Sequence, residues 1–127
     1  MIIPIITVAV NILSKIYKIY LSILEVVMVE SMGGVTPKFV VHDRSDNVGV
    51  AVEDLRAGEE VVGVYLSDGS LITVKVLSDI PLGHKVALTD LRVGDKVVKY
   101  GEVIGVVIKD IRKGEHVHIH NIRSLRW

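Results

Sequence analysis

His116, His118 and His120 alternate with Val117 and Ile119 near the end of the sequence. Successive side chains of a β-strand point to opposite faces, so this spacing predicts three imidazoles on one face and two aliphatic groups in the core. Two imidazoles at i and i+2 can approach one divalent ion, which makes His116 and His118 candidate metal ligands. Imidazole also moves protons near neutral pH, so His118 and His120 are candidate acid–base groups. The plain alternative is a solvated strand face. His84 follows Pro81-Leu82-Gly83, a turn able to present a side chain outside a regular ladder, and Lys85 beside it offers a point charge for a carboxylate. Their structural alternatives are a turn residue bonded to backbone and a solvated lysine. His42 with Asp46 and Asn47 forms a third polar group, although Asp46-Asn47 equally suits an Asx-type turn. Lys99 and Tyr100 read as strand-end packing.

The surrounding sequence must position these groups. Half of the 127 residues are hydrophobic, yet there is one Phe, one Trp and four Tyr, so Val, Ile and Leu build the core. That β-branched bias favours strands. Short β runs are predicted at 39–42, 48–52, 61–66, 71–76, 85–88, 97–100, 103–108 and 116–120. Asp68-Gly69 between two alternating apolar runs is a hairpin signal. One motif occurs three times, as Asp54-Leu55-Arg56-Ala57-Gly58, Asp90-Leu91-Arg92-Val93-Gly94 and Asp110-Ile111-Arg112-Lys113-Gly114, each leading into a Val-bearing strand. The Asp is expected to accept backbone N–H bonds within its turn, the Leu or Ile to point inward, and the Gly to reverse the chain at positive φ. The expected fold is mostly β, with short strands, tight turns and little helix.

Lys plus Arg balance Asp plus Glu at 15 each, with the signs interleaved, so no basic stripe suggests a nucleic-acid partner. The absence of cysteine excludes disulfides, thiolate zinc sites and a Cys nucleophile, and fits a cytoplasmic protein. Residues 1–31 differ from the rest. They are apolar, with an amphipathic pattern at helical period, and their charge-free run is too short to span a membrane, which takes about 20 residues. Three readings stay open for them: an upstream extension ahead of a natural start at Met28 or Met32, a helix that docks on a partner, and, least favoured, a membrane-surface anchor. Residues 32–37 read as a linker and 38–127 as the main domain.

Three ordered blocks carry a family resemblance. They are His42-Asp43-Arg44-Ser45-Asp46-Asn47-Val48-Gly49, then Ile80-Pro81-Leu82-Gly83-His84-Lys85-Val86, then Val98-Lys99-Tyr100-Gly101-Glu102 through His116-Val117-His118-Ile119-His120-Asn121. In this order the chain resembles the N-terminal domain of altronate and galactarate dehydratases, which is similar to SAF domains of the β-clip fold. The resemblance implies a β-clip domain and a hydro-lyase acting on an aldonic or aldaric acid. It implies catalytic roles for His84, His118, His120 and Lys85, and substrate contacts from His42, Asp46, Asn47 and Asn121. A divalent metal, Fe2+ or Mn2+, is expected in the assembled enzyme. Long family members continue into a large domain after the His-Asn block, and related two-subunit enzymes, including sulfolactate sulfo-lyases, divide the parts. This chain is therefore expected to be a small subunit, inactive without a large catalytic partner. A related lyase, a free-standing sugar-acid binding module, a structural partner and a homo-oligomer stay open as alternatives.

Removing a proton α to a carboxylate is difficult because that C–H is a very weak acid. It requires a metal or cations to stabilise the enediolate, a base, and an acid to help the β-substituent leave. The chain supplies histidines and a lysine without an evident carboxylate-rich metal cage, which points to a site shared between subunits.

Overall fold

A computed structural model describes residues 36–125. The apolar segment 1–31, read from sequence as an upstream extension, a docking helix or a membrane-surface anchor, and most of the linker 32–37 lie outside those residues. Nine short strands make up the described fold: β1 (Phe39–Val41), β2 (Val48–Ala51), β3 (Glu60–Tyr65), β4 (Leu71–Lys75), β5 (Lys85–Ala87), β6 (Lys96–Lys99), β7 (Glu102–Val107), β8 (His116–Val117) and β9 (Ile122–Ser124). No helix occurs among the described residues, and so none there is long and apolar enough to cross a membrane.

Six strands form one sheet in the order β4-β3-β1-β2-β5-β8, and three form a second in the order β6-β7-β9. All pairings are antiparallel except β1 with β3. The predicted hairpin is present as β3–β4, with Gly69 at φ +75°. The β-branched runs that predicted strands also fill the interior. Phe39, Val41, Leu55, Val74, Val76, Ile80 and Val86 pack as one buried cluster, while Val48, Leu91, Val97, Val107, Ile111 and Val117 form another between the sheets. The ring of Phe39 lies over Gly49 and Gly63, where any Cβ would run into it. Two glycines inside strands thus leave room for the chain's single Phe.

The repeated motif forms the corners of the fold, and there are four of them. Residues 79–86, Asp79-Ile80-Pro81-Leu82-Gly83-His84-Lys85-Val86, match the pattern and fold the same way. The glycines of the four corners, Gly58, Gly83, Gly94 and Gly114, all have φ between +85° and +95°. The corners work in pairs. Leu55 and Ile80 exchange both backbone bonds at 2.8 Å, and Leu91 and Ile111 do so at 2.7 and 2.8 Å. Each Asp reaches across to the paired corner: Ala57 N–H donates to Asp79 and Leu82 N–H to Asp54, as Val93 N–H does to Asp110 and Lys113 N–H to Asp90. The motif aspartates therefore cap the neighbouring turn and not their own, which corrects the sequence expectation. The acid after each of the other three glycines caps its own turn instead. Glu59, Asp95 and Glu115 accept the N–H of Arg56, Arg92 and Arg112.

The strand predicted over 116–120 is also corrected. β8 ends at Val117, because antiparallel β5 supplies partners only for His116 and Val117. Beyond Lys85 its partner chain has already turned into the 79–86 corner. Ile119, expected in the core, is 81% exposed.

Candidate histidine site

His84, His116 and His118 meet at the edge of the six-stranded sheet. His116 stands on β8, paired with Val86 of β5, and His84 occupies the corner position just before β5. A ring nitrogen of His84 (Nδ1) lies 2.8 Å from one of His116 (Nε2), so one carries the shared proton and the other accepts it. The His84 ring stacks on His118 at 4.3 Å between centroids, with the planes 26° apart. One ligating atom from each of the three imidazoles lies within 4.8 Å of the others. All three are half-buried, while His120 is exposed and holds its ring 5.2 Å from that of His116.

The backbone under the histidines is held by two side chains. His116 N–H donates to Ser78 Oγ at 2.9 Å. Asn121, only 4% exposed, accepts the N–H of His118 at 2.9 Å and donates to the carbonyl of His116 at 2.7 Å. This bridge keeps His116 and His118 on one face although the strand has ended between them. The turn closes through Asn121 N–H and Ile122 N–H, both donating to the His118 carbonyl.

Electrostatics favour neutral imidazoles here. Burial, then His84, His120, His118 and Lys85, push His116 down to about 4. Burial, His84, Lys85 and His120 lower His118 as well. Neutral imidazole is the form that binds a metal or accepts a proton. Lys85 takes part in this field from β5, where it pairs with Val117. Glu115, the acid next to His116, is turned back onto Arg112.

The other nominated residues lie elsewhere. β2 and β5 run antiparallel, so the chain before Val48 sits at the end of the sheet opposite His84. There the His42 ring lies against that of Tyr100, with centroids 3.9 Å apart and the planes tilted by 40°. Asp46 is buried, and its carboxylate accepts N–H bonds from Tyr100, Gly101 and Asp43. Asn47 accepts from Val98 N–H and donates to the Lys96 carbonyl, tying the two sheets together. The His42–Asp46–Asn47 group is thus not part of the histidine cluster. The described hydrogen bonds of the Asp46, Asn47 and Asn121 side chains are with backbone, but those of Asp46 and Asn47 run mainly to the distant 96–101 segment. The local Asx turn belongs to Asp43, which accepts Ser45 N–H at 2.9 Å. Sequence reading missed Ser78, which carries no local signal, and the 79–86 corner, whose Asp-x-x-x-Gly spacing was visible.

The sequence profile of the altronate/galactarate dehydratase SAF domain matches residues 37–125, the whole of the fold just described apart from its first residue. The chain belongs to that family. The SAF domain also has relatives of its own length. The (2R)-sulfolactate sulfo-lyase subunit alpha of Chromohalobacter salexigens is 44% identical over 90 residues, covering 70% of this chain and 96% of that one. The subunit of the same name from Paracoccus pantotrophus is 48% identical over 64 residues, half of this chain and 96% of its own length. The altronate dehydratase of Escherichia coli is 46% identical over 79 residues, which is 62% of this chain but 15% of that enzyme. The SAF domain thus occurs both within a much longer chain and as nearly the whole of a short one.

Proposed function

We propose that this chain is the small subunit of a two-component lyase that eliminates a β-substituent from a hydroxy acid, and that it is of the sulfolactate sulfo-lyase type. One observation carries the reading: a three-imidazole cluster lies within a SAF domain that matches 96% of a sulfo-lyase alpha subunit. The altronate-dehydratase activity expected from sequence becomes the second reading. It is favoured by the family match and by the 46% identity to the Escherichia coli enzyme, although the matched stretch is only 15% of that enzyme. The finer fold assignment we propose is the β-clip, supported by the paired corners and short strands.

The three imidazoles suit a borderline ion with nitrogen ligands. Fe2+ therefore fits better than Mn2+, which prefers oxygen donors. His84, His116 and His118 would hold it, and when bound it supplies Lewis-acid stabilisation of the substrate's carboxylate side. This gives His84 a ligand's role beside the His116 and His118 ligands expected from sequence. His120, exposed at the cluster's rim, takes or returns a proton, and Lys85 offers a cation to an anionic substrate. In a 2-hydroxy-3-sulfonate acid, loss of the α-proton and departure of sulfite from the β-carbon leave an enol that becomes a 2-oxo acid. In the dehydratase the β-hydroxyl leaves as water instead. The remaining wall of the pocket, including carboxylates that this cluster lacks, comes from a large partner chain.

The test is to express the full chain with a tag in its native host and identify what co-purifies. A long chain recovered in near-equal amount, with the complex releasing sulfite from sulfolactate, is the expected result. Activity on aldonic acids alone would move the assignment to the dehydratase. A chain recovered without a partner that binds sugar acids tightly would make it a binding module.

A further inference from the structure

The 79–86 corner differs from its three siblings in a correlated pair of residues. In the siblings the residue two after the Asp is Arg56, Arg92 or Arg112, whose N–H is capped by the acid that follows the glycine, at 2.7 to 2.9 Å. In the 79–86 corner that residue is Pro81, which has no N–H to cap. The residue following the glycine is His84, and its ring faces His116 and His118 instead of its own turn. Backbone geometry is otherwise shared. His84 N–H donates to the Pro81 carbonyl at 3.0 Å, as Glu59, Asp95 and Glu115 donate to Arg56, Arg92 and Arg112 at 2.9 to 3.1 Å.

We propose that Pro81 is a positioning residue: by removing the one donor that position 84 would otherwise have to satisfy, it converts a structural corner into one that presents His84 to the imidazole cluster. An N–H at position 81 would stand where a side chain from position 84 reaches it in every sibling. Position 81 is exposed, so water would compete for that N–H, but a side chain at position 84 would be drawn back to cap it as the three acids are, at equally exposed turns. A ring turned back onto that N–H cannot also lie 2.8 Å from His116. The inference deepens the metal-site reading above and rests on it for function, but its structural content is independent of any ion.

The experiment is therefore read first without metal. Imidazole nitrogen NMR on the full chain reports the His84–His116 contact through the Nδ1 and Nε2 shifts of the two rings. In Pro81→Ala, the His84 Nδ1 signal is expected to move and the His116 Nε2 signal to lose its coupled partner, with the fold retained. Co2+ titration of the same variant should then show at least about tenfold weaker binding, the range seen for residues that orient metal ligands. Unmoved His84 signals in a folded Pro81→Ala chain would overturn the proposal. Should Pro81→Ala fail to fold, Pro81→Arg combined with His84→Glu decides, because it rebuilds a sibling corner. A midpoint of thermal unfolding above that of Pro81→Arg alone supports the release mechanism, and an equal or lower one overturns it. If the wild-type chain binds no Co2+ yet its NMR signals shift as expected in Pro81→Ala, the metal reading fails and this one stands.

Discussion

The two ends of the β2–β5 strand pair both gather polar side chains, and they use them in opposite ways. At the Asp46 end the Asp46 and Asn47 side chains are directed at the backbone. The Asp46 carboxylate gathers the N–H groups of a two-residue turn whose members, Tyr100 and Gly101, have φ of +56° and +71°. That is the type I′ pattern, unfavourable for a bulky residue, so the buried carboxylate compensates for local strain. At the histidine end the backbone is instead served by Ser78 and Asn121, and the imidazoles face one another. Burial of a polar residue alone therefore says little about chemistry. What its atoms are bonded to decides.

Breaking the Asp46 end should have the largest effect and should fall on folding. Asp46→Ala removes the buried carboxylate to which the Tyr100 and Gly101 N–H groups donate in a part-buried turn, at roughly 1.5–3 kcal/mol for each lost bond to a charged group. We expect a loss of about 3 kcal/mol or more in chemical denaturation, with any remaining folded protein still binding metal. A Co2+ affinity that collapsed while stability held would reverse the comparison.

The histidine end should respond the other way. His84→Ala and His118→Ala are each expected to lower turnover of the assembled lyase by about 100-fold or more, the scale of a lost acid–base or ligand group, while denaturation midpoints shift little. Unchanged turnover in both variants would remove the cluster from the mechanism. Asn121→Ala sharpens the contrast because this residue belongs to both kinds. It should cost about 2 kcal/mol through the freed His118 N–H and His116 carbonyl, and also weaken Co2+ binding by about tenfold. Stability loss with unaltered Co2+ binding would make Asn121 purely structural.

Much of this contrast was readable in advance, for local reasons. Strand runs followed from β-branched residues, the β3–β4 hairpin from Asp68-Gly69, and three corners from the Asp-x-x-x-Gly spacing. Pro81 and His84 disguised the remaining corner because they replace the Arg and the acid that make the motif recognisable. The His116–His118 pairing on one face was legible from alternation. Its extension to Ile119 was not, since the end of β8 is set by how far β5 reaches, a non-local fact. The approach of His84 to His116 across 32 positions likewise depends on β5–β8 register, which alternation within one segment cannot encode.

The smallest expected effect is a pH dependence that belongs to the histidine end. His116 has an ordinary value of 6.5 and is lowered to about 4 in the fold, with burial the first cause and the neighbouring His84, His120, His118 and Lys85 charges next. Between these values the unfolded chain binds more protons than the native one, so stability falls as pH drops from about 6.5 toward 4 and levels off below. His118 shifts in the same direction and adds to the slope. His116→Gln, which keeps a polar planar group without a titrating one, should flatten the melting temperature across that window while leaving the plateau above pH 7 nearly intact. Zn2+ or Co2+ should oppose the wild-type loss, because an ion bound to neutral imidazoles competes with the same protons. A wild-type profile that stayed flat from pH 7 to pH 4 would mean that the imidazoles open to water on protonation without unfolding the sheet edge, and the site would then be softer than its hydrogen bonds to Ser78 and Asn121 imply.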